Sequence, residues 1–164
     1  MSNKQLKLKI VTPERLVLEE MVDQVSLPTI LGEITVMPNH IPLITGLTSG
    51  DVVAFVNGEH VPMAVVGGFV EVKSRRLEGS GSRPGASGQN EKGETEVAVL
   101  ADFAEHVAEL SEQKIEEAKK KSEELKKQME NKEITDFEHF EAELERSLTR
   151  VKIADKWRTR KYRK

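Results

Sequence analysis

Helix breakers divide this chain more sharply than any motif in it. All 11 glycines and all 6 prolines lie at or before Gly93, and the 71 residues after it contain neither. Proline and glycine cost a helix interior about 3 and about 1 kcal/mol, so long helices belong to the second part and turn-rich sheet to the first. The 164 residues suffice for one ordinary domain carrying an appendage.

Leu6, Leu8 and Ile10 alternate with Lys7 and Lys9, the period-two pattern of a strand with one buried face. Short apolar runs follow at Val22 to Leu27, Ile34 to Met37 and Val52 to Val56, each bounded by Gly, Pro, Asn or Asp. Asn57-Gly58 separates two β-branched runs. Because both central residues of a tight hairpin turn need positive φ, this pair predicts a hairpin. Pro62 inside the second run cannot donate to a ladder, which predicts an edge position or a bulge. Many short strands at this spacing predict an antiparallel β-sandwich. Residues 74–93, rich in Gly, Ser and charge, read as a flexible insertion. Val97 to Leu100 is a further apolar run, so this insertion joins two paired strands.

From Ser111 the period becomes helical. Ile115, Ala118, Ser122, Leu125 and Met129 step by three and four, a narrow seam of mostly small side chains. Ser111 is placed to cap this helix, and Thr135-x-x-Glu138 resembles a capping box for a second. Phe137, Phe140, Leu144, Leu148 and Val151 line one face of that second helix. The expected architecture is therefore mainly β plus α: a β-sandwich over residues 1–104, then an antiparallel two-helix hairpin over 105–164 with a basic end. So little apolar surface makes the hairpin marginal alone, dependent on docking and able to dock in more than one place.

Charge sharpens this division. Residues 94–145 carry 7 basic against 17 acidic side chains, and residues 146–164 carry 9 against 1. A tail so basic suits an acidic protein surface, nucleic acid through Trp157 and Tyr162, or the solvated end of a helix. No catalytic constellation emerges. With no cysteine, thiolate metal sites and cysteine nucleophiles are excluded. His40, His60, His106 and His139 lack ligand spacing, so no metal is expected. Gly88 and Gly93 have P-loop spacing, but Glu94 and Thr95 stand where Lys and Ser/Thr are required. The longest stretch free of polar side chains, Met63 to Val70, is far short of a membrane span, and MSNKQLKLKI has no signal-peptide apolar block. The reading is a soluble, cytoplasmic chain. The segment from Gly32 to Pro42, with His40 between two prolines, reads either as a recognition loop or as a rigid turn with His40 bonded locally.

GEITVMPNHIPLI, AVVGGFVEV and VAVLADFAEH, in this order, with KLKIVTPERLVL ahead and a charged hairpin behind, closely resemble the epsilon subunit of bacterial F-type, proton-translocating ATP synthases. The resemblance implies a small β-sandwich and two helices in a noncatalytic component of the central rotor, at the cytoplasmic face of the cell membrane and held there only through the complex. It implies contact with the gamma subunit, the ring of c subunits, and the beta and alpha subunits of the catalytic head. The loop around Glu33 and His40 matches the segment facing the c ring. Gly67 and Gly68 read as structural, permitting bending or close packing. The hairpin of this family either folds on the sandwich or extends into the head, where it blocks ATP hydrolysis. Arg146, Arg150, Lys152, Lys156, Arg158, Arg160, Lys161, Arg163 and Lys164 are then the cations for an acidic segment of beta.

Some members bind ATP on the folded hairpin. Here the matching motif reads Leu110, Ser111, Glu112, Gln113, Lys114 and Ile115, with Asp, Arg and Ala replaced by Ser111, Lys114 and Ile115. Lysine lacks the bidentate fork of arginine, although Arg146 and Arg150 match a pair used by ATP-binding members. Two readings follow: a rotor and regulatory subunit without resident cofactor, or an ATP-sensing module that uses Lys114, Arg146 and Arg150. A nucleic-acid-binding sandwich is disfavoured because the sandwich is near neutral.

Overall fold

The computed structural model describes residues 5–75, 94–110, 112–130 and 137–161. Ten strands form two five-stranded sheets, followed by a short 3-10 turn and two helices. Sheet A contains β1 (Leu6–Val11), β2 (Leu16–Val22), β5 (Leu43–Gly46), β8 (Phe69–Arg75) and β9 (Glu94–Leu100), in the order β2-β1-β9-β8-β5. Sheet B contains β3 (Gln24–Thr29), β4 (Gly32–Val36), β6 (Gly50–Val56), β7 (Glu59–Val66) and β10 (Phe103–His106), in the order β10-β7-β6-β3-β4.

Alternation places the core. Leu6, Leu8 and Ile10 of β1, Val97 and Val99 of β9, and Val70 and Val72 of β8 face Val25, Leu27, Val52, Ala54, Met63 and Val65 of sheet B in one buried cluster. Each of the Val, Leu, Ile and Met side chains contributes roughly 1.5–3 kcal/mol by leaving water. The expected sandwich is present with one amendment: β1 pairs parallel with β9, while the other strand pairs are antiparallel. The run Val22 to Leu27 is divided between two strands. The chain crosses from sheet A to sheet B at Asp23, whose carboxylate accepts from the Asn57 amide at 2.9 Å and thereby ties the crossing to the β6–β7 turn. That turn has Asn57 at φ 51° and Gly58 at φ 88°, as the Asn-Gly pair predicts.

Pro62 occupies an edge position, as expected, although its strand is an inner one of sheet B. It pairs opposite Val53 in unbroken register, and β7 lies between β6 and β10. Proline is tolerated there because β10 pairs only with Met63 to Val66, so β7 is locally a free edge at Pro62. Strand β8 continues through Ser74 and Arg75 to pair with Thr95 and Glu94, so the sheet takes up the first two residues of the expected insertion. The remainder, 76–93, lies outside the described residues. Strand β10 runs across residue 104, where the sequence reading divided the chain.

Two sheet-to-sheet crossings meet at one corner. Gly67 and Gly68 carry the chain from β7 to β8 at φ 56° and 106°, while Ala101 and Asp102 carry it from β9 to β10. A Cβ on Gly68 would stand 2.0 Å from the Leu100 carbonyl oxygen, so only glycine lets the two segments touch.

Helix α1 (Glu112–Glu130) and helix α2 (Phe137–Lys161) pack against each other. The α1 seam is as expected for Ile115, Ala118, Ser122 and Leu125, all buried. The Met129 and Phe137 side chains, the Ser111 cap and the Thr135 capping box lie outside the described residues. On α2 the expected single apolar face is replaced by a different set. Phe140, Ser147, Thr149, Ile153 and Ala154 are buried, whereas Leu144, Leu148 and Val151 are half-buried. The cause is that α2 touches two neighbours: Ala154 packs with Ile115 of α1, and the helix also lies on β7 and β6.

Candidate functional site

The docking face of α2 is built from the outer side of sheet B. Met63 and Val65 point into the core, so Ala64 and Val66 point outward, yet both are buried. Register sets Ala64 opposite Asp51 of β6 on one side and opposite Glu105 of β10 on the other. Two carboxylates therefore flank one alanine in a single row across three strands, and both side chains are about nine-tenths buried, at 11% and 10% exposure.

Helix α2 supplies their cations. The Lys156 ammonium lies 2.8 Å from each Asp51 oxygen, and the Trp157 indole N–H donates to Asp51 Oδ2 at 3.0 Å. Arg150 Nε donates to Glu105 Oε2 at 2.8 Å, and Lys114 Nζ of α1 donates to Glu105 Oε1 at 3.1 Å. Aromatic rings frame both ends. The Arg150 and Arg146 guanidinium carbons stand 4.6 and 5.8 Å from the Phe103 ring centre, and Trp157 lies 5.9 Å from the His60 ring, which in turn meets Phe55 edge-on.

The apolar part of this contact is thin. Among the described side chains, none of α2 belongs to the buried sandwich core, and the small cluster holding Ala154 joins it to Ile115, Leu110 and Val107 instead. Beside Ser49 and Gly50 an open groove of about 330 Å³ separates α2 from the sheet, bordered by Leu148, Lys152 and Ile153 and bridged by the Ser49 hydroxyl donating to Glu145.

The basic residues singled out in the sequence thus have several different placements. Arg150 and Lys156 are held by the sandwich, and Arg146 flanks Phe103. Arg158 reaches Glu112 of α1 at 3.5 Å, and Lys152 is exposed beside the groove. The side chains of Arg160 and Lys161, and all of Arg163 and Lys164, lie outside the described residues. Lys114, Arg146 and Arg150 are brought together around Glu105, and the latter three with Thr12 and Arg15 border a cleft of about 190 Å³.

Glu33 and His40 are not brought together, since Glu33 is the second residue of β4 and His40 follows its far end. The His40 ring bonds its neighbour, Nδ1 to the Ile41 carbonyl at 2.7 Å, inside a turn pinned by the Asn39 amide donating to buried Thr95 at 2.7 Å. Among the described residues no group of His, Asp and Glu is arranged to hold a metal ion.

A second surface lies on the outer face of sheet A. Leu16, Val11, Leu100, Phe69 and Gly46 form one row across all five strands, and Ile30 lies against Gly46. Leu16, Leu100, Phe69 and Ile30 are all at least half exposed, and the neighbouring turn tip, Leu31, is 88% exposed. Exposed apolar rows of this extent mark interaction surfaces.

Sequence reasoning missed Asp51, Glu105, Phe103 and Trp157 as a docking set. One signal was present: Met63 to Val66 is apolar at both parities, which in a strand means cover on both faces.

Comparison with known proteins agrees with this architecture. Residues 5–78 match the family described as the ATP synthase, Delta/Epsilon chain, beta-sandwich domain. The ATP synthase epsilon chain of Dehalococcoides mccartyi strain CBDB1 is 36% identical over 156 residues, covering 94% of this chain and 95% of the relative. That of Herpetosiphon aurantiacus is 37% identical over 105 residues, covering 64% of this chain and 62% of the relative. A chain in the Euglena gracilis mitochondrial ATP synthase structure shares the fold, with a TM-score of 0.52 at 19% identity, over 95% of this chain and 81% of that one. Sandwich, hairpin and a 36% identity that runs nearly end to end together place this chain in the family of ATP synthase epsilon chains, the non-catalytic stalk subunits of the synthase complex.

Proposed function

We propose that this subunit couples rotation between the catalytic head and the c ring, seated through its sandwich on gamma and the ring, and that its helical hairpin restrains ATP hydrolysis. The observation that carries the regulatory part is the nature of the α2 contact: the hairpin is held on the sandwich chiefly by cations and the Trp157 indole, with none of its described side chains in the sandwich core. An element attached in this way can leave without unfolding what it leaves. The exposed apolar row on sheet A is the surface this reading gives to gamma, and Glu33 and the turn tip beside it face the c ring. The subunit is peripheral at the cytoplasmic face of the cell membrane through these partners; no helix among the described residues is long and apolar enough to cross a membrane. The basic residues of α2 are the groups that meet an acidic segment of beta when the hairpin is extended.

The test is ATP hydrolysis by the assembled enzyme carrying the full chain or a version ending at Leu110, which keeps β10 and the 3-10 turn whole. A several-fold rise on truncation is expected. Unchanged hydrolysis with assembly and coupling intact rejects the regulatory reading.

A nucleotide-sensing reading draws on Lys114, Arg146 and Arg150 converging on one place. Glu105 already takes Lys114 and Arg150, and a cleft of about 190 Å³ is smaller than the roughly 300–1,000 Å³ of ordinary ligand pockets. A triphosphate must therefore displace Glu105 and open the cleft. Calorimetric titration of the full chain with ATP separates the readings: binding heat supports sensing, and its absence supports a subunit without ligand.

A further inference from the structure

Conformational freedom in the segment between β4 and β5 is concentrated in one peptide unit. Proline rings fix φ at about −65° at Pro38 and Pro42, and Ile41, standing before Pro42, is kept extended. The His40 amide donates to the Met37 carbonyl at 3.1 Å, which closes a four-residue turn with Pro38 and Asn39 at its centre. Asn39 has a φ of 67°. Because Pro38 cannot take the positive φ of a mirror-image turn, this is a type II turn, whose third position favours glycine. The commoner type I turn differs by a flip of the peptide that joins the two central residues. The N–H of that peptide, on Asn39, donates to Thr95 Oγ1 at 2.7 Å across 56 positions of sequence. Thr95 is the second residue of β9, has the inward parity of Val97 and Val99, and is 1% exposed. Valine has the same shape and leaves no hydroxyl to satisfy in such a place, so the turn accounts for the hydroxyl.

We infer that Thr95 is a positioning residue for the exposed turn after β4: its hydroxyl holds the Pro38–Asn39 peptide in the type II orientation and thereby sets how Met37, His40 and Ile41 are presented to a binding partner. Met37 and Ile41 are 55% and 74% exposed, so the turn offers apolar contacts on either side of His40. The bond from the His40 ring to the Ile41 carbonyl ties the tip to itself, and Thr95 alone ties it to sheet A by a hydrogen bond among the described residues. With valine at 95 neither orientation of the peptide gains a bond there, and the strain of a positive φ on a non-glycine residue tips the turn to type I. The positioning itself follows from the hydrogen bonds. Only its effect on coupling rests on the proposed seating of the sandwich on the c ring, through the segment that runs from Glu33 to His40.

The test uses the isotope-labelled full chain in solution. The nuclear Overhauser contact from Pro38 Hα to the Asn39 amide proton is strong in a type II turn and weak in type I, and exchange of the Asn39 amide reports its bond to Thr95. In Thr95→Val the contact is expected to weaken and Asn39 exchange to speed by about five- to fiftyfold. Thr95→Ser, which keeps the hydroxyl, holds both near the parent. Asn39→Gly placed in Thr95→Val restores the strong contact, because glycine takes positive φ freely, but not the amide protection. A parental contact in Thr95→Val, its loss in Thr95→Ser, or no recovery with Asn39→Gly each overturns the positioning role. Should exchange in β8 and β9 show the sandwich loosened by Thr95→Val, the glycine rescue decides, since it restores the turn only if the turn was what was lost. In the assembled enzyme, protons pumped per ATP hydrolysed are expected to fall in Thr95→Val and to recover with Asn39→Gly. A flipped turn with unchanged coupling leaves Thr95 as the positioning residue and removes this turn from the ring contact.

Discussion

Replacing Gly68 by alanine tests the packing of the corner where the chain changes sheets twice. An added Cβ lies 2.0 Å from the Leu100 oxygen, 2.8 Å from Ala101 Cα and 3.0 Å from the Leu100 carbon, all backbone atoms that cannot rotate away. Relief to an ordinary contact of about 3.5 Å requires a backbone shift of about 1.5 Å between two strands that also pair at Phe69 and Leu100. Overpacking of this kind costs about 1–3 kcal/mol or more, and a non-glycine residue at φ 106° adds about 1–3 kcal/mol. A total of about 2–6 kcal/mol is a large part of the roughly 5–15 kcal/mol that a domain has. For a sandwich of this size each kcal/mol moves the melting temperature by about 4–8 °C, so a fall of at least about 8 °C is expected by circular dichroism. Gly58→Ala is the control. Its φ is 88°, but a Cβ there meets nothing within 4 Å, so only the conformational cost of about 1–2 kcal/mol applies. Equal melting of the two variants refutes the reasoning, because it means that the contact at the corner contributes nothing beyond backbone strain.

Two further outcomes are expected. Phe69→Asp, on the exposed row of sheet A, leaves the melting of the isolated chain within about 0.5 kcal/mol of the parent yet abolishes incorporation into the synthase; normal incorporation removes that row as the partner surface. The hydrogen bond from Lys121 holds the Glu143 carboxyl below its ordinary value of 4.5, so the stability this α1–α2 pair contributes is full above that value and is lost as pH falls through the lowered one. Helicity of the full chain and of Lys121→Gln, followed from neutral to acid pH, shows the difference between the two chains vanishing at the acid end; a constant difference contradicts the assignment.

Local chemistry made much of the fold legible. The alternation of Leu6, Leu8 and Ile10 states a half-buried strand, Asn57-Gly58 states a tight turn, and the Ile115 to Leu125 seam states a helix facing a close neighbour. Each is set by residues within a few positions of one another. What escaped is set by register. That Asp51, Ala64 and Glu105 share one row depends on how β6, β7 and β10 align, and nothing near any of the three announces it. Pro62 announced a free edge, but not that the edge is local to an inner strand, since that depends on where β10 stops. The cations of α2 were identified from charge alone, but their present partners sit on strands far away in sequence.

The parallel pairing of β1 with β9 has a consequence for how the molecule comes into being. Lys7 lines up with Glu96, so the first strand cannot take its place beside β9 until nearly the whole sandwich has been synthesised. The β3–β4 and β6–β7 hairpins close over short loops and form early, whereas joining β1 to β9 pays the closure entropy of the longest loop in the domain. During synthesis β1 therefore waits with β2 alone as its neighbour, its Leu6, Leu8 and Ile10 face uncovered. The alternating Lys7 and Lys9 keep that waiting ribbon charged on its other face and so less prone to pair with another chain.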